Sequence, residues 1–232
     1  NLSTKGKFSD INFEVYAGEV LGIAGLMGAG RTEIARAIFG LDSFDSGEIL
    51  LKGKAVQIRS PKDAISKGIG YVSEDRKALG FIPELPVNQN ISLSSILNFS
   101  KRWLIDENKE HKATAKLAHE LKIKASGLNQ KVINLSGGNQ QKVVIARVLM
   151  ASPFLIILDE PTRGIDIGAK QEIYKLISQL TKNGLAVIMI SSELPEILGM
   201  SNRILVLSKG KQKTILTQKE ANQEKIMQYA LH

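Results

Sequence analysis

The sequence has no cysteine among its 232 residues and only one tryptophan. The missing cysteines exclude disulfides and thiolate metal sites. The three histidines, His111, His119 and His232, lack the spacing of metal ligands, and the first two lie in a charged stretch typical of a solvated helix face. The longest apolar runs, Phe154 to Leu158 and Leu185 to Ile190, are too short to span a bilayer.

The length and charge of the chain set broad limits on its class. A chain of 232 residues suits one large α/β domain with an insertion, or two small domains, and it can bury a core without disulfides. Its formal charge of +8 is compatible with nucleic acid, an anionic membrane surface or bound phosphates. The lysines and arginines are scattered rather than clustered, which favours a solvated surface for most of them.

A glycine-rich loop with the sequence GLMGAGRT comes early in the chain. Its residues are Gly25, Leu26, Met27, Gly28, Ala29, Gly30, Arg31 and Thr32. The apolar run from Val20 to Ala24 predicts a buried strand before the loop, and residues 32–39 predict a helix after it that ends at Gly40. Strand, loop and helix form the setting of the phosphate-binding pattern G-x-x-x-x-G-K-[ST]. A glycine-rich turn without a ligand is the alternative for this degenerate motif taken alone.

One loop position departs from the pattern, because Arg31 stands where the pattern has lysine. The lysine is a compact charge that contacts the outer phosphates, and the Ser/Thr hydroxyl, here that of Thr32, holds Mg²⁺. Arginine keeps the charge but is bulkier and planar. We therefore expect the loop to bind phosphate, with poorer geometry for phosphoryl transfer.

The hydrophobic pattern changes along the chain. Residues Phe8 to Tyr16 and Gly47 to Ile58 alternate in the way of antiparallel strands. Strand-like runs are missing between about residues 86 and 124, where apolar residues recur at helical spacing. Apolar runs typical of parallel strands then return, with a helix from about Gly168 to Thr181 between them. The sequence predicts one α/β domain over residues 1–232, with an N-terminal antiparallel β-region and a helical subdomain inserted at about residues 86–151.

The apolar run before residue 159 ends in two acids, Asp159 and Glu160. A buried strand that places a carboxylate at its C-terminal tip is how folds of this type position a Mg²⁺ ligand, here Asp159. Glu160 is then placed to orient or polarise an attacking water. Acids that merely end a strand are common, but Pro161-Thr162 and the turn to Asp166 favour the specific interpretation.

The segment LSGGNQQ carries the most specific signal. It comprises Leu135, Ser136, Gly137, Gly138, Asn139, Gln140 and Gln141. Ser136 has the character of a helix N-cap, and the two glycines bring backbone N–H groups close to an anion at the helix start. A plain helix cap would be ordinary. The order of segments is not: glycine loop, helical insert, LSGGNQQ and then LIILDEP.

In this order the sequence resembles the nucleotide-binding domains of ABC transporters, over essentially the whole chain. The resemblance implies a P-loop ATPase core that binds ATP and Mg²⁺, with Thr32 and Asp159 as metal ligands and Glu160 as the catalytic acid. It also implies that Ser136 and its glycines bind the γ-phosphate of an ATP held by a partner domain, so that two domains enclose two ATP molecules head to tail. GLMGAGRTE, YVSEDRK and SSELPE are most similar to the second domain of tandem ATPases of bacterial ribose-type monosaccharide importers. The start at Asn1 agrees with a piece of a longer chain.

Three positions depart from the pattern of that family. Arg31 replaces the loop lysine, Glu74 stands where a glutamine reaches the metal and the attacking water, and Ser192 replaces the switch histidine that contacts the γ-phosphate. Asp166 occupies the position of the family's D-loop aspartate. The aromatic residue that stacks on adenine has no clear counterpart, because Phe8 aligns better with a core position. The departures predict weak binding and slow hydrolysis at the domain's own site. We expect the intact segment LSGGNQQ, hereafter the signature segment, to complete the site of the partner.

The function implied by the resemblance is ATP-driven import of a monosaccharide of the ribose type. The implied partners are a second ABC ATPase domain in the same full-length chain, transmembrane permease subunits and, indirectly, a sugar-binding protein, at the cytoplasmic face of the cell membrane. No nucleic-acid partner is expected. Two alternatives stay open: a non-transport ABC-type ATPase acting on ribosomes or nucleic acid, and a regulatory module that binds nucleotide without hydrolysing it. Long heptad coiled coils, which separate the halves of repair and chromosome-organising members, do not occur in this sequence.

Overall fold

The computed structural model describes residues 1–101 and 104–231. The strands are β1 (Leu2–Thr4), β2 (Phe8–Ile11), β3 (Val20–Gly25), β4 (Ile49–Leu51), β5 (Lys54–Val56), β6 (Ile69–Val72), β7 (Ser100–Lys101), β8 (Leu104–Ile105), β9 (Leu155–Asp159), β10 (Ala186–Ile190), β11 (Arg203–Ser208) and β12 (Lys211–Thr217). The helices are α1 (Arg31–Ile38), α2 (Pro61–Ser66), α3 (Val87–Ser92), α4 (Glu107–Glu120), α5 (Gly137–Leu149), α6 (Ile167–Lys182), α7 (Leu194–Met200) and α8 (Gln223–Leu231). Short helical segments of other types span Arg76–Gly80, Leu93–Phe99 and Val132–Asn134.

Eight strands form one mixed sheet in the order β1-β2-β12-β11-β3-β10-β9-β6. Strands β11, β3, β10 and β9 run parallel, and Val187 of β10 lies opposite both Val20 and Ile156. Strands β9 and β10 are buried at every residue, as continuous apolar runs in a parallel sheet should be. The pair β1/β2 and the hairpin β4/β5 are antiparallel. The predicted α/β class and the N-terminal antiparallel β-region are confirmed.

The chain divides into two compact units. The first contains residues 1–71, 154–160 and 178–232, and the second contains residues 72–153 and 161–177. The second unit is mainly helical and includes α3, α4 and α5. The bounds of residues 86–151 for the inserted subdomain stay a prediction.

The sequence pattern is wrong in two places. Strands β7 and β8 pair antiparallel inside the stretch predicted to lack strands, because two-residue strands are too short to produce alternation. The alternation from Phe8 to Tyr16 overstates β2, which ends at Ile11. Directly after β2 the N–H of Asn12 donates to the side chain of Gln212 at 2.8 Å instead of to a neighbouring strand.

The predicted strand before the glycine loop, the helix after it and the helix near residue 170 are confirmed. Helix α1 begins at Arg31 directly after the loop and buries Ile34 and Ile38 against the sheet core. Helix α6 buries Ile173 and Ile177 and is followed by Gly184 with a φ of 91°. Among residues 1–101 and 104–231, no helix has the length and apolar character required to cross a membrane.

Candidate functional site

The glycine loop forms a tight connection between β3 and α1 in the first unit. Gly28 and Gly30 have φ values of 78° and 94°, a region that residues with a side chain rarely adopt. A Cβ on Gly25 would lie 2.7 Å from the carbonyl oxygen of Leu207, so the strand end has no room for a side chain. Met27 at the tip of the loop is 98% exposed. The loop therefore presents backbone to solvent at the start of a helix.

Helix α1 begins without a side-chain cap, because its N-cap is Gly30. The first N–H groups of a helix have no acceptor within the helix and carry partial positive charge. An uncapped start that follows a glycine loop is suited to bind phosphate oxygens. The geometry gives the glycine loop the features that its sequence pattern requires.

Asp159 ends β9 in a fully buried position beside the start of α1. The Oγ1 of Thr32 donates to its Oδ1 at 3.3 Å, and the hydroxyl of Tyr71 donates to its Oδ2 at 3.0 Å. Burial raises the pKa of Asp159, and the hydrogen bonds from Tyr71 and Thr32 oppose that rise. Burial, together with the charge of Asp159, also raises the pKa of Tyr71.

Thr32 and Asp159 fit a magnesium ion that is shared with a nucleotide. A hydroxyl and a carboxylate oxygen lie 3.3 Å apart, and both are ligands that Mg²⁺ takes in proteins. The described part of the chain contains no group of three or more His, Cys, Asp or Glu residues able to hold a metal. The donors therefore suit an ion whose other ligands are phosphate oxygens and water.

Sequence reasoning missed Tyr71. Its hydroxyl reaches Asp159 across 88 positions of the chain, and its ring stacks on Phe39 with centroids 5.2 Å apart. Only the position of a polar-tipped aromatic in the strand β6, which neighbours β9, could have indicated it.

Glu160 is contacted by two of the three residues that, from the sequence, we expect to depart from the family pattern. The Oγ of Ser192 donates to its Oε2 at 3.1 Å. The Nη1 of Arg31 lies 3.8 Å from its Oε1 and donates to the carbonyl oxygen of Ser191 at 2.7 Å. The side chains of Arg31 and Glu160 are only 12% and 11% exposed. Burial raises the pKa of Glu160, while the charge of Arg31 opposes the rise.

The signature segment lies in the second unit, at the start of α5. Ser136 is the N-cap by its extended backbone, as expected, but its hydroxyl makes no capping bond. That hydroxyl instead accepts from the Nδ2 of Asn139 at 2.9 Å, and the Oδ1 of Asn139 accepts from the N–H of Lys124 at 2.8 Å. A Cβ on Gly138 would lie 2.4 Å from that of Ala169, which explains the second glycine.

Buried residues of the signature segment hold it in place within the second unit. Leu135 and Gln140 are buried, and the Nε2 of Gln140 donates to the carbonyl oxygen of Val132 at 3.3 Å. Gly137 begins the helix and Gln141 is buried within its first turn. The start of α5 is thus held in place while its first N–H groups lack a side-chain cap.

Glu74 and Asp166 also belong to the second unit. Glu74 forms an ion pair with Arg163, so its charge is matched by a neighbour within its own unit. Asp166 stabilises the start of α6, because its Oδ1 accepts from the N–H of Ala169 at 2.9 Å. The first unit thus brings together the glycine loop, Asp159, Glu160 and Ser192, and the second unit holds the signature segment, Glu74 and Asp166. Phe8 is only 4% exposed within the core, as its alignment indicated.

A profile of the ABC transporter family matches residues 8–163. The chain belongs to this family. It is 52% identical over 230 residues to the ribose import ATP-binding protein RbsA of Oceanobacillus iheyensis, and 48% identical over 230 residues to the protein of the same name in Bacillus subtilis. The alignments cover 99% of this chain but 46% and 47% of those proteins. The chain therefore spans about half the length of these ABC relatives.

Solved ABC cassettes have the same fold. The ADP conformation of MJ1267, an ATP-binding cassette of an ABC transporter, superposes with a TM-score of 0.84 at 24% identity, over 99% of this chain and 95% of that one. The ATP-binding cassette MJ0796 bound to ADP and Pi gives 0.77 at 24% identity, over 91% and 90% of the two chains. The ABC-type ATPase class predicted from the sequence is confirmed at the level of family and fold.

Proposed function

We propose that this chain is an ATP-binding domain that drives import of a ribose-type monosaccharide through an ABC transporter. The support is that the chain is about 50% identical in sequence to proteins named for ribose import. Those relatives are about twice as long, which leaves room for a second ABC domain in the same chain as its head-to-tail partner. The further partners are transmembrane permease subunits and, indirectly, a sugar-binding protein, and the complex lies at the cytoplasmic face of the cell membrane.

The domain's own site, in this proposal, binds MgATP but hydrolyses it poorly. The observation that carries this step is the occupation of Glu160. Each of its carboxylate oxygens already has a neighbour, Ser192 on one side and Arg31 on the other. A carboxylate that polarises water needs an oxygen directed at that water. The Nη1 of Arg31 in turn donates to the Ser191 carbonyl, so part of the guanidinium is already occupied.

The chain's own groups still suffice for binding. The loop N–H groups receive phosphate oxygens, and Thr32 and Asp159 hold the magnesium ion, which neutralises charge on the phosphates when bound. Tyr71 fixes the orientation of Asp159 through a 3.0 Å hydrogen bond. Nucleotide at this site would therefore support closure of the two domains more than it would supply turnover.

The signature segment serves the partner's ATP in this proposal. The start of α5 has a glycine pair and no side-chain cap, so its N–H groups can meet a terminal phosphate. We take the segment LSGGNQQ as intact, in contrast to the glycine loop. Damage to the segment should therefore cost more than damage to Glu160.

The test compares Ser136→Arg with Glu160→Gln in the reconstituted transporter, by ATPase rate and sugar uptake. Ser136→Arg places a bulky side chain where N–H groups must meet the phosphate, and loss of such donors typically reduces rate by about 100- to 1000-fold. Glu160→Gln removes a charge with little change of shape, and we expect only a few-fold loss. Ser178→Arg, on an exposed part of α6, controls for the added arginine. Abolished turnover in Glu160→Gln with tolerated Ser136→Arg would refute the proposal.

A further inference from the structure

Arg76 is a buried arginine beside the signature segment, and both lie in the second unit. Its side chain belongs to a residue that is only 9% exposed. The Nη1 donates to the carbonyl oxygen of Arg163 at 2.6 Å, and the Nη2 donates to that of Gly164 at 2.9 Å. One planar guanidinium therefore holds two successive carbonyls of the turn that leads to α6.

The positive charge of Arg76 has no paired carboxylate. Among residues 1–101 and 104–231, no acidic side chain forms an ion pair with it, and its buried Nε has no hydrogen-bond partner. Burial lowers the pKa of Arg76, and the nearby charge of Asp75 opposes this only in part. A buried cation that is satisfied by neutral carbonyls leaves its charge available to an approaching anion.

This charge lies directly beneath the start of α5. A Cβ on Gly137 would be 2.9 Å from the Nη2 of Arg76, so the guanidinium packs against the first residue of the helix. The positive end of the helix and the cation therefore both attract an anion to the same place. Any residue other than glycine at position 137 would push the two apart.

A second link joins the same two segments. Glu74 pairs with Arg163, the residue whose carbonyl oxygen also accepts from Arg76. The segment 74–76 is thus connected to the turn 163–164 by an exposed ion pair and by the buried guanidinium. The two segments are therefore linked, and Arg76 also contacts Gly137.

We propose that Arg76 is a positioning residue for the anion received by the signature segment, and that it supplies part of the positive charge at that place. The anion is the terminal phosphate of the nucleoside triphosphate held by the partner domain, so the inference rests on the proposed function. Arg76 acts through the α5 start and the 163–164 turn. A lysine keeps the charge but cannot hold two carbonyls in one plane.

The test uses the complete ATP-binding protein, reconstituted with its permease, and measures kcat, the KM for ATP and the melting temperature. We expect Arg76→Gln to raise the KM for ATP by about 10- to 100-fold, the size of one or two lost charge-assisted interactions. Arg76→Lys should give a smaller rise. Arg147 is the matched control, because this half-buried arginine of the same unit also donates to a carbonyl oxygen, that of Asn90, at 2.9 Å.

Arg147→Gln should lower the melting temperature without changing the KM for ATP. Equal KM values for Arg76→Gln, Arg147→Gln and the unmodified protein would overturn the inference. If Arg76→Gln does not fold, the KM of Arg76→Lys for ATP is the test instead. An unchanged value for that variant would also overturn the inference. Ser136→Arg in the same assay distinguishes failure of the proposed function from failure of the inference on Arg76. If Ser136→Arg does not change turnover, the proposed function fails. If Ser136→Arg impairs turnover and the Arg76 variants do not, only the role of Arg76 fails.

Discussion

The starts of α1 and α5 are built alike but differ in the state of the nearest arginine. Helix α1 follows a glycine and α5 begins with two glycines, and both lack a side-chain cap. At α1, Arg31 has the carboxylate of Glu160 within 3.8 Å and donates to a backbone carbonyl. At α5, the hydrogen-bond partners of Arg76 within residues 1–101 and 104–231 are two backbone carbonyls. From this difference we infer that the start of α5, whose neighbouring cation has no counter-ion in the described part of the chain, favours an incoming anion more than the start of α1 does.

Among changes to the residues around α1, the largest expected effect comes from rebuilding the first site toward the family pattern. The isolated unmodified domain should bind MgATP weakly and turn over slowly. Arg31→Lys alone should change turnover by no more than about 3-fold, because Ser192 still provides no switch histidine. Arg31→Lys with Ser192→His should raise it by about 10- to 100-fold, since both contacts to Glu160 are replaced and a proton-transferring side chain is added. Phosphate release by the isolated domain is the measurement.

Arg36→Lys is the control for that experiment, because Arg36 lies on the same helix but pairs with Asp42 away from the loop. It should leave turnover unchanged. Rapid, cooperative hydrolysis by the unmodified domain, or a single Arg31→Lys change that matches the double variant, would break the comparison between the two helix starts.

A smaller effect is expected from Tyr71→Phe, which sharpens the account of the first site. The change removes the donor to the Oδ2 of Asp159 and keeps the ring stacked on Phe39. Loss of such a supporting hydrogen bond typically weakens metal binding by about 10-fold. A titration of nucleotide binding against Mg²⁺ should show this shift, while Tyr229→Phe in α8 should not. An unchanged Mg²⁺ requirement would mean that Tyr71 only packs.

The smallest effect is expected at the far end of α1, where Arg36 pairs with Asp42 away from the glycine loop. Asp42 accepts from Arg36 and Lys7, which lower its pKa from 3.8 to about 2. The carboxylate therefore stabilises the fold above its unfolded pKa, and this contribution is lost as the pH falls from about 4 to 2. Asp42→Asn should lower the free energy of unfolding by about 1 kcal/mol at pH 7, after solvent screening. Urea unfolding should show the difference at pH 7 and lose most of it near pH 2; a difference that persists in full in acid would assign it to packing.

The order of the elements around the loop was predictable, because hydrophobic period and glycine position are local properties. Val20 to Ala24 predicted β3 to within one residue, and the face of Ile173 and Ile177 predicted α6. Contacts between distant positions were not predictable. Tyr71 with Asp159, and Arg76 with Gly164, each join side chain to partner across 88 positions.

The departures themselves were visible in the sequence, but their meaning was not. Arg31 and Ser192 were identified one by one as replacements of family residues. That both contact Glu160 depends on the register of β3, β9 and β10 in the sheet, which places the ends of these strands together. A sequence read without strand register cannot distinguish independent replacements from a connected set.

The backbone at Glu160 has a consequence for how such sites change over evolutionary time. Its φ of 49° is left-handed, which costs a residue with a side chain about 1–2 kcal/mol relative to glycine. Replacement by glycine would relieve that strain but leave the guanidinium of Arg31 buried without a carboxylate, and the second loss offsets the first. Mutational drift is therefore restrained here by folding as well as by chemistry. In a sequence with arginine at the loop position, a retained glutamate is a weak indicator that the site still hydrolyses ATP.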